Sequence, residues 1–350
     1  MKRKLALWGG GALLTLLLTV TAALSIGSVP VPFVQVWSIL LSHLHIPGIG
    51  VAGGLLPAGW EPAYEAIVWK VRLPRVVLAV LVGAALGLAG AAFQGVLRNP
   101  LADPYTLGVA SGASVGAAFL ILFGLQYVVG QWSVPLAAFG TGAITLITVL
   151  LLARSEGKLR IETVILAGTV VQAFLSAFVS LMVSMSGQVI NEIIFWMMGS
   201  LALRGWSYSV VLLPYLAVGA VVLLGYGRAM NVLMLGEKQA AHVGVHVERT
   251  KLVVLVASTL ITAAAVSVAG VISFVGLLVP HLLRLLVGPD YRLLLPLSVI
   301  GGAIYVVLAD TLARTLLSPT EIPLGIVTAF LGAPFFGYLL YRRKGGATVG

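Results

Sequence analysis

An all-α polytopic membrane protein is the fold class this chain predicts, and three observations carry the prediction. Hydrophobic residues make up 60% of the 350 and charged residues only 9%, giving a mean hydropathy of +1.09. Apolar runs of about 20 residues, the length a helix needs to cross a ~30 Å hydrocarbon core, recur from end to end. The 41 glycines fit closely packed membrane helices. The formal charge of +10 forms no basic stripe on a water-soluble face, so nucleic acid is not an expected partner. Cysteine is absent, which excludes disulfides and thiolate metal or redox sites.

Ten apolar segments read as transmembrane helices: 5–26, 68–96, 106–126, 133–153, 162–185, 207–227, 252–270, 271–287, 292–313 and 323–341. The first follows a basic start, as a signal peptide would, but its apolar run exceeds an ordinary h-region and is read as a retained helix. Only "AGVISF" around Gly270 separates the seventh from the eighth. Gly83, Gly87, Ala91 and Gly95 repeat every four residues, as do Gly108, Gly112 and Gly116; both rows read as helix-packing ridges. One transmembrane domain, 1–350, is expected.

Cations fix the orientation. With the N-terminus inside and ten alternating helices, 16 of the 21 Lys and Arg fall in inner loops. The outer side keeps Lys70, Arg72, Arg75, Arg204 and Arg314, and Trp60, Trp69, Trp132, Trp196 and Trp206 lie near outer helix ends. Both termini are therefore expected in the cytoplasm. Arg72 and Arg75 run against this trend and would oppose the dipole of a helix starting beside Pro74. They read either as snorkelling to lipid phosphate or as pairing with carboxylates of an external partner. Asp310, near an outer end, reads as an i, i+4 partner of Arg314.

The segment 228–251 is the polar exception, a cytoplasmic loop between the sixth and seventh helices. "GEKQAAHVGVHVERTK" concentrates Glu237, Lys238, Glu248, Arg249 and Lys251 and keeps apolar Ala240, Ala241, Val243, Val245 and Val247. Two short helices joined at Gly244, forming a docking surface for another protein, are expected. His242 and His246 have a metal-compatible spacing, but no further ligand stands beside them, and no metal site is assigned. No G-x-x-x-x-G-K-[ST] loop and no nucleophile–base set occurs, so the chain is read as neither an ATPase nor an enzyme. Helix centres nearly empty of ionisable groups argue against a proton-coupled secondary transporter, the main alternative class.

"RLPR", "GAALGLAGAAFQGVLRNPLADPYTLGVASGASVG", "GEKQAAHVGV", "GVISFVGLLVPHLLRLLVG", "LADTLAR" and "EIPLGIVTAFLGAPFF" together resemble the FecCD-type permeases. These are membrane subunits of type II ABC importers for ferric siderophores, haem and vitamin B12. The match runs from about residue 68 to the C-terminus; 27–66 matches no motif. The resemblance implies ten helices and a homodimer with the pathway at its interface. It also implies two ATP-binding subunits, which carry ATP and Mg, and an external substrate-binding protein. Gly236, Glu237, Ala240, Ala241 and Gly244 would then belong to the ATPase coupling loop. Arg72, Arg75 and Arg314 would receive the binding protein, and Asn99 and Leu101 would form a cytoplasmic gate. The implied location is the bacterial or archaeal cell (inner) membrane. Among cargoes a ferric siderophore leads because it is the family's commonest assignment. His43 and His45, in the unmatched outer segment, give little support for haem.

Overall fold

The computed structural model describes residues 2–44, 59–155 and 158–346. Among the described residues, the regular structure is helical apart from a two-residue antiparallel pairing of Arg154–Ser155 with Lys158–Leu159. The helices, numbered here in order, are α1 (Lys2–Ser25), α2 (Phe33–Leu44), α3 (Pro62–Val96) and α4 (Val109–Leu122). Next come α5 (Leu125–Val129), α6 (Ser133–Ala153), α7 (Ile161–Met185), α8 (Ile190–Met197) and α9 (Trp206–Gly225). The last six are α10 (Gly227–Leu233), α11 (Glu237–His242), α12 (Val247–Ala269), α13 (Val275–Val287), α14 (Tyr291–Thr315) and α15 (Leu324–Gly346).

Seven described helices, α1, α3, α6, α7, α9, α12 and α14, are long and apolar enough to cross a membrane. Three shorter apolar helices, within α4, α13 and α15, occupy the other three expected positions. The 14 residues of α4 rise only about 21 Å, less than the hydrocarbon thickness. A loop, 97–108, therefore re-enters the bundle before α4 begins. The break at Gly270 is real: Gly270 has φ +72, Phe274 has φ +66, and residues between them are non-helical.

Helix α3 forms the axis. It is buried along most of its length and packs on α14, α12, α13 and α9. The small-residue ridge explains how. A Cβ on Gly83 would stand 2.6 Å from the carbonyl carbon of Gly302, and one on Gly302 would stand 2.9 Å from that of Gly83. The two backbones touch, which only glycine on both sides permits. The second ridge works the same way against α6, where Gly112 lies under Thr145 and Gly116 under Thr141.

Three expectations need correction. The helix of "KVRLPR" begins at Pro62 rather than near 68, so Arg72 and Arg75 are not in its first turn. A π-helical stretch, Ala66–Arg72, precedes Pro74 and widens the turn just where proline cannot donate. In the polar segment, two short helices do form, but they are α10 and α11, joined through Gly236 at φ +116. Gly244, φ +87, instead turns α11 into α12, which begins at Val247 and absorbs 247–251. Helix α2 lies in the stretch that matched no motif.

Candidate functional site at the two polar ends

The arginines expected outside come together at one end of the bundle, turned inward. Arg72 is 6% exposed and donates to the carbonyls of Leu24 (2.7 Å), Ser25 (3.0 Å) and Val29 (2.5 Å). Arg314, 8% exposed, donates to the carbonyl of Ala23. Ala23, Leu24 and Ser25 form the last turn of α1, where carbonyls lack helical partners and carry the negative end of the dipole. Two guanidinium groups cap that turn. This accounts for cations that looked misplaced when only their own helix was considered.

Arg75 and Asp310 lie between them. The Arg75 Nε and Nη2 both donate to the Asp310 carboxylate, at 2.9–3.1 Å, and Nη1 donates to Glu321 at 2.8 Å. Asp310 thus pairs first with Arg75 across helices; the i, i+4 contact to Arg314 is the longer one, at 3.9 Å. A fork of planar donors on a planar carboxylate is the geometry that favours arginine here. Of the three expected docking residues, Arg75 is the least buried, and its partner Glu321 is 42% exposed. Aromatic rings gather at the same end: His43 stacks on Trp69 at 4.1 Å, and Trp69 lies 6.5 Å from Trp206. His43 also pairs with Glu65 at 3.4 Å, and His45 lies outside the described residues.

At the opposite end, the expected coupling residues surround α11. Ala240 is fully buried and Glu237 half-buried, while Lys238, Gln239, Ala241, His242, Val243 and Gly244 are exposed. His242 ends α11 and His246 precedes α12, with the Gly244 turn between them, so they share no helix face. Glu237 accepts from Lys251 Nζ at 3.0 Å and from Arg98 at 3.3 Å. Nearby, Asp290 caps α14 by accepting from the Arg292 amide at 3.0 Å. The Arg292 side chain holds the Asp290 carboxyl well below the usual carboxylate range, with Asn231 adding a further hydrogen bond.

The expected gate residues begin the re-entering loop. The Asn99 side chain accepts from the Leu101 amide at 2.9 Å, and Leu101 is 44% exposed. Asp103 caps the short 3-10 turn Pro104–Leu107, and the Tyr105 hydroxyl donates to the Ile272 carbonyl at 3.0 Å. That last bond ties the loop to the break between α12 and α13. Sequence reasoning missed Tyr105, Asp310 as the Arg75 partner, and Glu321. An acidic residue beside an otherwise unexplained cation at the same end was the available signal for the last two.

The ion-paired clusters described above lie at the two ends of the bundle, with helices suited to crossing a membrane between them. The comparisons agree. At 43% identity over 95% of this chain and 93% of the relative, it is similar to the uncharacterized ABC transporter permease protein YvrB of Bacillus subtilis. At 41% identity over 96% of both chains, it is similar to the cobalamin import system permease protein BtuC of Halobacterium salinarum. A solved inward-facing metal-chelate type ABC transporter superposes with a TM-score of 0.81 and 32% identity, covering 98% of this chain and all of the other. The FecCD transport family model matches residues 14–342, so this chain belongs to the FecCD transport family of ABC importer permeases and is a multi-pass membrane protein.

Proposed function

We propose that two copies of this chain form the membrane channel of an importer that takes up an iron chelate, a ferric siderophore first, delivered by an external binding protein. Two ATP-binding subunits with Mg and ATP would sit against the end that carries α11. The observation that carries the reading is on α7. Leu166, Val170, Phe174, Phe178 and Leu181 are exposed there, as lipid-facing or subunit-facing residues are. Yet Thr169, Gln172, Ser176 and Ser180 are exposed as well, at helical spacings of three and four residues. A polar stripe on an apolar membrane helix suits a wet pathway wall better than lipid. A second copy facing that stripe would enclose such a pathway.

Cargo would meet no deep, high-affinity site in this chain, so selectivity would rest with the binding protein. ATP binding would shift the exposed face of α11 and reorient the helix pairs that include α7 and α15. A ligand can move such an equilibrium only through contacts that differ between its two states, and α11 is where those contacts would be made. At the outer end, Arg75 is the residue to which a binding-protein carboxylate would gain access, by displacing Glu321. Arg72 and Arg314 would remain on α1.

Purification of the tagged chain from its own membranes, followed by mass spectrometry, tests the reading. A stoichiometric ATP-binding subunit is expected, with uptake of a ferric siderophore by the reconstituted complex once its binding protein is added. A chain that purifies alone and takes up solute on an ion gradient would overturn the reading in favour of a secondary transporter. ATP-driven uptake of cobalamin or haem instead would correct only the cargo.

A further inference from the structure

We infer that Arg98, Glu237, Lys251 and Glu248 form a clamp that makes α11, the re-entering loop and the turn before α7 move as one body, with Arg98 as its positioning residue. The inference rests on the coupling role proposed for α11.

Lys251 is the pivot. Its side chain is only 4% exposed. An ammonium group has three N–H donors. Here the Leu159 carbonyl at 2.7 Å and Glu237 at 3.0 Å accept hydrogen bonds, and Glu248 pairs with the ammonium group at 2.8 Å. Each carboxylate in turn bridges two elements. Glu248 turns its other oxygen to the Leu159 amide at 2.7 Å, and Glu237 turns its other oxygen to Arg98 at 3.3 Å. Two cations thus alternate with two anions, around a single sequestered ammonium group.

Four separate pieces of chain are joined in this way. Arg98 follows the C-terminus of α3 and opens the re-entering loop. Glu237 is the first residue of α11, Lys251 and Glu248 lie in the first turns of α12, and Leu159 is in the hairpin before α7. Because Glu237 and Ala240 face inward, the exposed face of α11 stays free for another protein. A push on that face has a charged path to both neighbouring loops.

The backbone at Arg98 adds independent support. Its φ is +49, one of three positive values at non-glycine residues among those described. Asn99 N bonds to the Gln94 carbonyl at 3.2 Å, so Arg98 occupies the helix-ending position where glycine is the usual residue. A left-handed arginine is strained, and such strain persists where the surroundings hold the residue in place. Glycine would relieve it but could not reach Glu237.

The test uses the complete permease–ATPase complex in proteoliposomes, reading transport per ATP hydrolysed. Arg98→Gln should lower that ratio roughly threefold to tenfold, the size of effect expected when one link in a coupling chain is lost. Arg98→Lys should recover most of it. The chain has no native cysteine, so Arg98→Cys with Glu237→Cys supplies a unique thiol pair. Bridging that pair with a short bifunctional thiol reagent should restore the ratio, since the clamp is to stay closed through the cycle. An unchanged ratio in R98Q, or transport arrested by the bridge, would overturn the clamp alone. If the wild-type chain assembles with no ATPase, the coupling reading falls first and takes the clamp with it.

Discussion

The two polar ends of the bundle solve the same electrostatic problem in opposite ways. At the arginine end, Arg72 and Arg314 are spent on the last turn of α1, and Asp310 is 2% exposed beneath Arg75. At the α11 end, only Lys251 is sequestered; Glu237, Glu248 and Arg98 are each more than a third exposed. Burial decides what an ion pair contributes. A buried pair contributes little net energy while intact but is costly to break, whereas an exposed pair gives up little when lost. Charge pairs at the first end are thus costly to separate, and those at the second cost little.

The largest expected effect follows directly. Asp310→Ala leaves Arg75 and Arg314 without the carboxylate they share, and removing one partner of a buried pair costs about 3–5 kcal/mol. Thermal unfolding in detergent should show a large drop. Replacing Arg75 and Asp310 together by leucine should recover part of it, because no uncompensated charge remains. Near-wild-type unfolding of D310A would remove the contrast between the two ends.

Lys251→Met should cost less, although Lys251 is nearly as buried as Asp310. The two carboxylates it leaves, Glu237 and Glu248, are 36% and 40% exposed and can return to water. About 1–2 kcal/mol is expected, mostly from the lost charged hydrogen bonds. The same unfolding measurement checks it. A loss as large as that of D310A would mean the α11 end is as rigid as the arginine end.

How much of this was legible in the sequence differs between the same two ends. Helices α6, α7 and α9 match their expected spans to within two residues at either end, because uninterrupted apolar runs leave little choice in a bilayer. The polarity of 236–251 likewise exposed the α11 end. Long-range partners were not legible. That Arg72 caps α1 depends on a contact across 48 positions, and Arg75 meets Asp310 across 235. Periodicity reports which face of a helix is apolar, not which neighbour it meets. The expectation that Gly244 joins the two short helices failed in a similar way. Gly236 and Gly244 are equally suited to positive φ, and only packing shows that the first joins the short helices while the second turns into α12.

Asp290 tests the α11 end by pH. Its carboxyl is held below the usual range by Arg292, so its contribution is present above the unfolded value of about 4 and is lost as pH falls through the lower folded value. The site is largely open to solvent, so the effect at neutral pH should be under about 1 kcal/mol. Asp290→Asn keeps a capping side chain but not the charge. The gap in unfolding temperature between wild type and D290N, measured at pH 7, should narrow as pH is lowered below about 4. A gap that stays constant would assign the effect to the cap rather than to the ion pair.

Glu321 should matter least for stability and most for the docking reading. It is 42% exposed and meets Arg75 through one oxygen, so Glu321→Gln should cost only about 0.2–1 kcal/mol. If its carboxylate occupies the position a partner's carboxylate takes, it competes with docking, and neutralising it should tighten the complex. Titrating the cognate binding protein onto the permease–ATPase complex in nanodiscs should give a lower Kd for E321Q, with a steeper weakening by salt than in wild type. Weaker binding by E321Q would show instead that Glu321 orients Arg75 toward its partner. The arginine end would then be a docking surface pre-shaped by its own chain rather than one blocked by it.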